Sequence, residues 1–257
     1  MEVVILCGGL GTRLREETEF RPKPMVPIGG RPILWHIMKI YAHHGHKRFI
    51  LCLGYKGEII RDYFRNYHWN TCDVTLRLGA KPQTTYHGKH EEEDWEVTLL
   101  DTGSHTQTGG RLLRALSFVQ SDTFLFTYGD GVTNSDINQS IEFHRQHGAL
   151  VTVTAVKPSG RFGELALDGQ TITAFREKPE KETFVSGGFF VMNKSVGKYL
   201  EGGDTCVLER TPLERLTREG QVKAYCHSGF WQCMDTAREQ DWLNKHWASG
   251  NAPWKIW

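Results

Sequence analysis

An apolar run from Val3 to Leu6 opens into Cys7-Gly8-Gly9-Leu10-Gly11-Thr12-Arg13, three glycines followed by a hydroxyl and a guanidinium. Glycine has no Cβ to hold a ligand away, so a strand ending this way can bring backbone N–H groups up to an anion. The chemistry implied is phosphate binding, with Arg13 as a bidentate cation beside the cradle. Neither of two common cradles fits. Gly9-Leu10-Gly11-Thr12-Arg13-Leu14 lacks the third glycine of the dinucleotide fingerprint, and no Gly-Lys-Ser/Thr closes a P-loop. A plain tight turn stays open as an alternative. A second cation, Lys23, lies in Arg21-Pro22-Lys23-Pro24-Met25-Val26-Pro27, where three prolines in seven residues make a rigid loop rather than a helix. Two acids end apolar, strand-like runs: Asp130, between Gly129 and Gly131, and Asp235, after Trp231-Gln232-Cys233-Met234. The plainer readings are a turn residue for Asp130 and a helix N-cap for Asp235.

These groups need a scaffold that gathers strand ends. Apolar residues recur with helical period over 33–41, and Gly45 ends that helix. Strands are expected at 48–53, 74–78 and 123–128, with helices at 57–64 and 112–119. Strands alternating with helices as far as His147 imply βαβ units and a mostly parallel sheet, whose ligands sit beyond the carboxyl ends of the strands. The glycine loop and Asp130 both lie at such ends. Residues 79–108 read as a long polar excursion holding the acidic cluster Glu91-Glu92-Glu93-Asp94, expected to be an interface arm that joins copies of the chain into a homo-oligomer, with a merely solvated excursion staying open as the alternative. The second half is richer in strands, at 150–156, 163–167, 172–175, 185–192 and 222–226, with Asp168-Gly169 turning a hairpin. Helices return at 212–219 and 236–247.

Composition narrows the function. In 257 residues, 31 Lys+Arg stand against 30 Asp+Glu, so no global field recruits nucleic acid or a membrane surface. The six cysteines form no C-x-x-C pair and read as free thiols of a reducing compartment, and no segment approaches the ~20 apolar residues of a membrane span. A cytoplasmic protein is expected. None of the twelve histidines falls in a metalloprotease spacing.

Taken in order, Gly8 to Arg13, Lys23, Gly129-Asp130-Gly131, Glu177-Lys178-Pro179, Gly187-Gly188 and Trp231 through Asp235 resemble the sugar-1-phosphate nucleotidylyltransferase family over nearly the whole chain; G-G-x-G-T-R-L followed by P-K-P-M is its signature. The resemblance implies a Rossmann-like, doubly wound, mixed but mostly parallel sheet with a smaller β-rich sugar-binding portion. It implies one domain over 1–257, with 1–148 mainly for the nucleotide and 149–257 mainly for the sugar phosphate. In such an enzyme a sugar phosphate oxygen attacks the α-phosphorus of a nucleoside triphosphate and pyrophosphate leaves, so two mutually repelling anions must be held in line. Leu6, Gly8, Gly9, Leu10, Gly11, Thr12 and Gly129 are then expected at the nucleotide. Arg13 and Lys23 would neutralise its phosphates, and Asp130 and Asp235 would converge on one Mg²⁺. Lys178 would contact the phosphate of the sugar phosphate and Glu177 its hydroxyls; Gly163 and Gly188 would let backbone approach the ring, and Trp231 would stack on it or fill core.

Asp101-Thr102-Gly103, Thr108-Gly109-Gly110-Arg111 and Gly229 through Thr236 are similar to the CTP-using branch of the family that acts on glucose 1-phosphate, which implies CDP-glucose as product. The Gln-Pro-x-Gly stretch of thymidylyltransferase relatives is absent. Thr108 and Gly109 instead offer backbone groups to a pyrimidine edge, and Arg111 a donor to cytosine O2 and N3. Cys7 stands where alanine is usual, Arg21 where lysine is common, and Glu164 where alanine is usual after Gly163; the last leaves another hexose 1-phosphate open. A non-catalytic nucleotide-sugar sensor and a dehydrogenase are the remaining alternatives.

Overall fold

Apolar residues fill Val3 to Leu6 without a polar break, as strands covered on both faces require. In the computed structural model, which describes residues 1–88, 94–158 and 184–257 in full and the backbone of 164–168 and 171–176, that run is an inner strand of a seven-stranded sheet. Its strands are Glu2–Leu6 (β1), Arg48–Leu53 (β2), Glu96–Asp101 (β3), Thr123–Tyr128 (β4), Val151–Val156 (β5), Val185–Asn193 (β6) and Val222–His227 (β7). They lie in the order β7-β5-β6-β4-β1-β2-β3. All neighbours run parallel except β6, which is antiparallel to both β5 and β4. The expected mixed, mostly parallel sheet is therefore the observed one.

Side chains alternate across the sheet with the period of two that a pleat dictates. Val3, Ile5, Phe49, Leu51 and Leu125 enter one core with helix Ile33–His43 (α1). Val4, Leu6, Ile50, Cys52, Phe124 and Phe126 enter the other, against Leu112 and Ala115 of helix Thr108–Ala115 (α2) and Leu216. Helix Ala237–Ala248 (α3) starts from a capping box in which Thr236 and Glu239 satisfy one another's backbone donors.

Four expectations change. Residues 79–108 are not one arm: Glu96–Asp101 is an edge strand of the main sheet, and Gln83–His87 pairs with Asp73–Arg77 as a separate hairpin. The strand expected at 74–78 belongs to that hairpin because its residues are exposed on both faces and pack no core. The helix expected at 112–119 begins four residues earlier, so Gly109 and Gly110 sit inside its first turn, where a Cβ would come within 2.4 Å of Cys206 Sγ and 2.5 Å of the Gly203 carbonyl respectively. Lastly, the proline-rich stretch contains a 3-10 turn, Lys23–Met25, compatible with proline because its first donors need no partner.

Behind α1, His36 is fully buried among Trp35, Trp247, Trp254 and Trp257. Its Nε2 lies 2.9 Å from the Ile28 carbonyl, and Trp254 Nε1 donates to its Nδ1 at 3.3 Å. Those partners admit one neutral tautomer, because a protonated ring would point a second N–H at an indole N–H. Burial, opposed by the Ile28 bond and reinforced by Arg31, lowers its pKa from 6.5 to about 4. The unfolded chain takes up the proton first, so this contribution is whole above pH 6.5 and is lost as pH falls toward 4, amounting to about 3 kcal/mol. Denaturant unfolding at pH 7 and 4.5 is expected to show a loss of stability smaller in His36→Gln than in wild type by about 2 kcal/mol; equal losses would contradict this account.

Candidate functional site

Beyond the carboxyl ends of β1, β2 and β3, one buried side chain ties three strand ends together. Arg111 Nη1 donates to the Leu53 carbonyl (3.0 Å) and Thr102 Oγ1 (2.7 Å), and Nη2 donates to the Gly8 carbonyl (3.0 Å). The guanidinium needs the room that glycine leaves: a Cβ on Gly8 would lie 2.1 Å from Nη1, and one on Gly54 2.4 Å. Both terminal nitrogens of Arg111 thus hold framework, and the side chain also lines the chamber beside the glycine loop. It also gives Gly8 a packing reason beside any ligand. The loop then turns through Gly11 at φ 61°, and Thr18 Oγ1 donates to the carbonyls of Gly11 and Leu14.

The loop forms one wall of a chamber of about 300 Å³. Gly8, Gly9, Gly11, Thr12 and Arg13 line it from one side, Thr106 to Thr108 from another, and Lys23, Gly129 and Asp130 from a third. Leu6 closes its floor at the end of β1. Two expected nucleotide residues fall elsewhere: Leu10 is exposed on the outer side of the loop, and Gly109 packs on Cys206. A second chamber of about 280 Å³ lies beyond β4 and β6, lined by Gly188, Trp231, Cys233 and Glu209 among others. Tyr128 and Asp130 line both chambers.

The two acids meet because a short antiparallel ladder, Gly131–Thr133 against Trp231–Cys233, sets Asp130 opposite Met234, whose N–H donates to the Asp130 carbonyl at 2.8 Å. Asp235 follows, and it is not the N-cap of α3; Thr236 takes that role, leaving the Asp235 carboxylate free to face the site. Lys23 reaches both acids, 2.6 Å from Asp130 Oδ2 and 2.5 Å from Asp235 Oδ1, while Arg13 Nη1 lies 2.9 Å from Asp235 Oδ2. The 3-10 turn aims Lys23 there by seating Pro24 against Gly129, where a Cβ would stand 2.7 Å from Pro24 Cγ. Burial opposes the lysine charge, but the two carboxylates outweigh it and hold the ammonium above its ordinary pKa. Burial likewise pushes Asp235 up, and Lys23 and Arg13 more than reverse it.

The site therefore already seats one cation between two hard-oxygen carboxylates, which fits Mg²⁺, an ion usually held by one or two protein carboxylates with phosphates and water completing the shell. Among the described residues no group of three or more His, Cys, Asp or Glu converges, so the protein alone would not cage a metal.

In the second chamber Gly188 has φ 78°, and a Cβ there would press on Tyr128. Trp231 donates its indole N–H to the Gly187 carbonyl at 2.7 Å, which fixes the ring in the wall. Sequence reasoning missed Glu209: Tyr128 Oη donates to its Oε1 and Thr108 Oγ1 to its Oε2, so one carboxylate spans the partition between the chambers. Burial and that carboxylate raise the Tyr128 pKa far beyond its usual value. No local pattern marks Glu209, which lies 101 residues from Thr108. Gly163, Glu177 and Lys178 lie outside the described residues, as does the Glu164 side chain.

Comparison with known proteins agrees with this geometry. A nucleotidyl transferase family model matches residues 2–242. The chain is 49% identical, over the full length of both, to glucose-1-phosphate cytidylyltransferase of Salmonella typhi, and 42% identical, again full length, to a probable glucose-1-phosphate cytidylyltransferase of Bacillus subtilis. In fold it is similar to HddC from Yersinia pseudotuberculosis (TM-score 0.70, 23% identity, 96% of this chain and 99% of that one). A putative glucose-1-phosphate thymidylyltransferase from Bacillus anthracis is similar too (TM-score 0.67, 17% identity, 98% and 95%). A glycine loop, two cations and two acids at the strand ends of this sheet, together with these full-length relatives, lead to one conclusion: the chain belongs to the nucleotidyl transferase family.

Proposed function

We propose that the protein makes CDP-glucose and pyrophosphate from CTP and α-D-glucose 1-phosphate. The observation that carries the reading is the junction of two chambers at Asp130, with Lys23 and Arg13 on its wall. A triphosphate laid along the glycine loop brings its α-phosphorus to that junction, and a sugar phosphate in the second chamber approaches from the other side. Two anions held in line, with positive charge fixed beside them, convert a repulsive encounter into a positioned displacement, an effect able to supply about 7–11 kcal/mol of a barrier. The sugar phosphate oxygen forms the new bond to the α-phosphorus as the bond to pyrophosphate breaks. Arg13 and Lys23 neutralise the transferring group and the leaving pyrophosphate. Asp130 and Asp235 are the residues that would hold Mg²⁺, which when bound supplies Lewis acidity at the phosphate oxygens. The base end lies against Thr106 to Thr108, with Arg111 in the same wall and bracing the strand ends beside it. The names of the 49% and 42% identical relatives support both the base and the sugar. Lys178 and Glu177 are assigned to the sugar phosphate on the family resemblance.

A cytoplasmic home is part of this reading, supported by all six cysteines being free thiols. Self-association is assigned to the hairpin of Asp73–Arg77 and Gln83–His87, which exposes Leu76, Leu78 and Tyr86. A lone two-stranded hairpin is marginal in water without a surface to lie on.

Pyrophosphate release assayed with each nucleoside triphosphate and several hexose 1-phosphates tests the reaction; CTP with glucose 1-phosphate should exceed every other pair, and a different best sugar would reassign the substrate. Asp130→Asn is expected to lower kcat by at least the 10²–10³ typical of one preorganised electrostatic contact, and turnover near normal would move the metal elsewhere. Light scattering should find an oligomer that Leu76→Lys with Tyr86→Lys dissociates; a wild-type monomer at high concentration would end the hairpin assignment.

A further inference from the structure

The cation lying between Asp130 and Asp235 bears on how a divalent metal reaches them. Lys23 faces Asp130 Oδ2 and Asp235 Oδ1, and Arg13 faces Asp235 Oδ2, so three of the four carboxylate oxygens already meet a positive group. Two acids and two bases also cancel in formal charge. A hard dication needs such oxygens at about 2.0–2.1 Å and gives up its water reluctantly. A neutral cluster with three of its four oxygens turned to an ammonium and a guanidinium offers it no net field and too few open ligands. The two cations are not equivalent: 12% of the Lys23 side chain is exposed against 73% for Arg13. Lys23 is the plug, and Arg13 leans in from solvent.

We infer that in the ligand-free protein Lys23 occupies the place of the metal, and that an incoming nucleoside triphosphate opens Asp130 and Asp235 to a divalent cation by drawing Lys23 onto its phosphates. This rests on the assignment of those two acids as the metal ligands. The exchange needs no distant motion, because Lys23, Arg13 and Asp130 line the same chamber as the glycine loop. Phosphates entering there meet both cations where they now pair with carboxylates, and each ion pair lost is replaced by a pair with phosphate. Metal and nucleotide consequently bind with positive coupling, each raising the affinity for the other by the same factor. Metal alone is kept out, and the free site stays electrically satisfied.

Mn²⁺ serves as the probe, its free concentration followed by electron paramagnetic resonance in titrations of the intact, nucleotide-free chain at neutral pH. Lys23→Met is expected to bind Mn²⁺ at least about tenfold more tightly than wild type, within the range usual for coupled sites. Adding Asp235→Asn to Lys23→Met should abolish the gain. Arg13→Gln, at an exposed side chain, provides the same comparison should Lys23→Met not fold, with a smaller gain expected and none overturning the inference. Equal affinity in wild type and Lys23→Met, lost from both on Asp235→Asn, overturns the inference and leaves the metal site standing. If neither binds Mn²⁺ and the wild-type complex with CTP and Mn²⁺ is unchanged by Asp235→Asn, the metal assignment fails and the inference with it.

Discussion

Two carboxylates far apart along the chain are held side by side, and a lysine is lodged between them. Asp130 and Asp235 repel one another unless a cation shares them, and Lys23 at 2.5–2.6 Å supplies it. Removing one partner of a well-buried ion pair costs about 3–5 kcal/mol; here partial exposure of the cluster reduces that figure by screening. What the cluster contributes is position. The first βα loop, the end of β4 and the start of α3 must all arrive at one point, and the ion pairs register their arrival.

The supports of that point are backbone ladders and close packing. The three-residue ladder between Gly131–Thr133 and Trp231–Cys233 aligns the acids, the Thr236–Glu239 capping box starts α3 beside them, and Pro24 against Gly129 sets the depth of Lys23. On the far side, Arg111 spends its guanidinium on Gly8, Leu53 and Thr102, binding the ends of three parallel strands so that the glycine loop projects from a fixed base. The glycine loop and Lys23 therefore rest on Arg111 and Pro24, which themselves form part of the chamber wall. Preorganisation of this kind keeps charges in place while a reaction proceeds.

Glu209 shows how the chambers are kept distinct yet adjacent. Its carboxylate accepts from Tyr128 on one side and Thr108 on the other, so the wall between them is a hydrogen-bonded partition rather than an apolar plug. Asp130 sits at its edge and faces both spaces.

The sequence by itself determined the parallel βαβ plan, the glycine loop at the end of β1, and the identity of Lys23, Asp130 and Asp235 as the charged groups, because apolar runs, glycines and prolines act locally and leave a local pattern. It also carried the family resemblance. Tertiary structure alone decided that Arg111 is a strut, that 79–108 divides between a hairpin and an edge strand, and that Glu209 joins the partition. Each of these depends on which groups lie opposite one another across roughly a hundred residues or more of chain, or on whether a face finds a core to pack on. Neither a pair's register nor a strand's burial is written in the residues nearest to it.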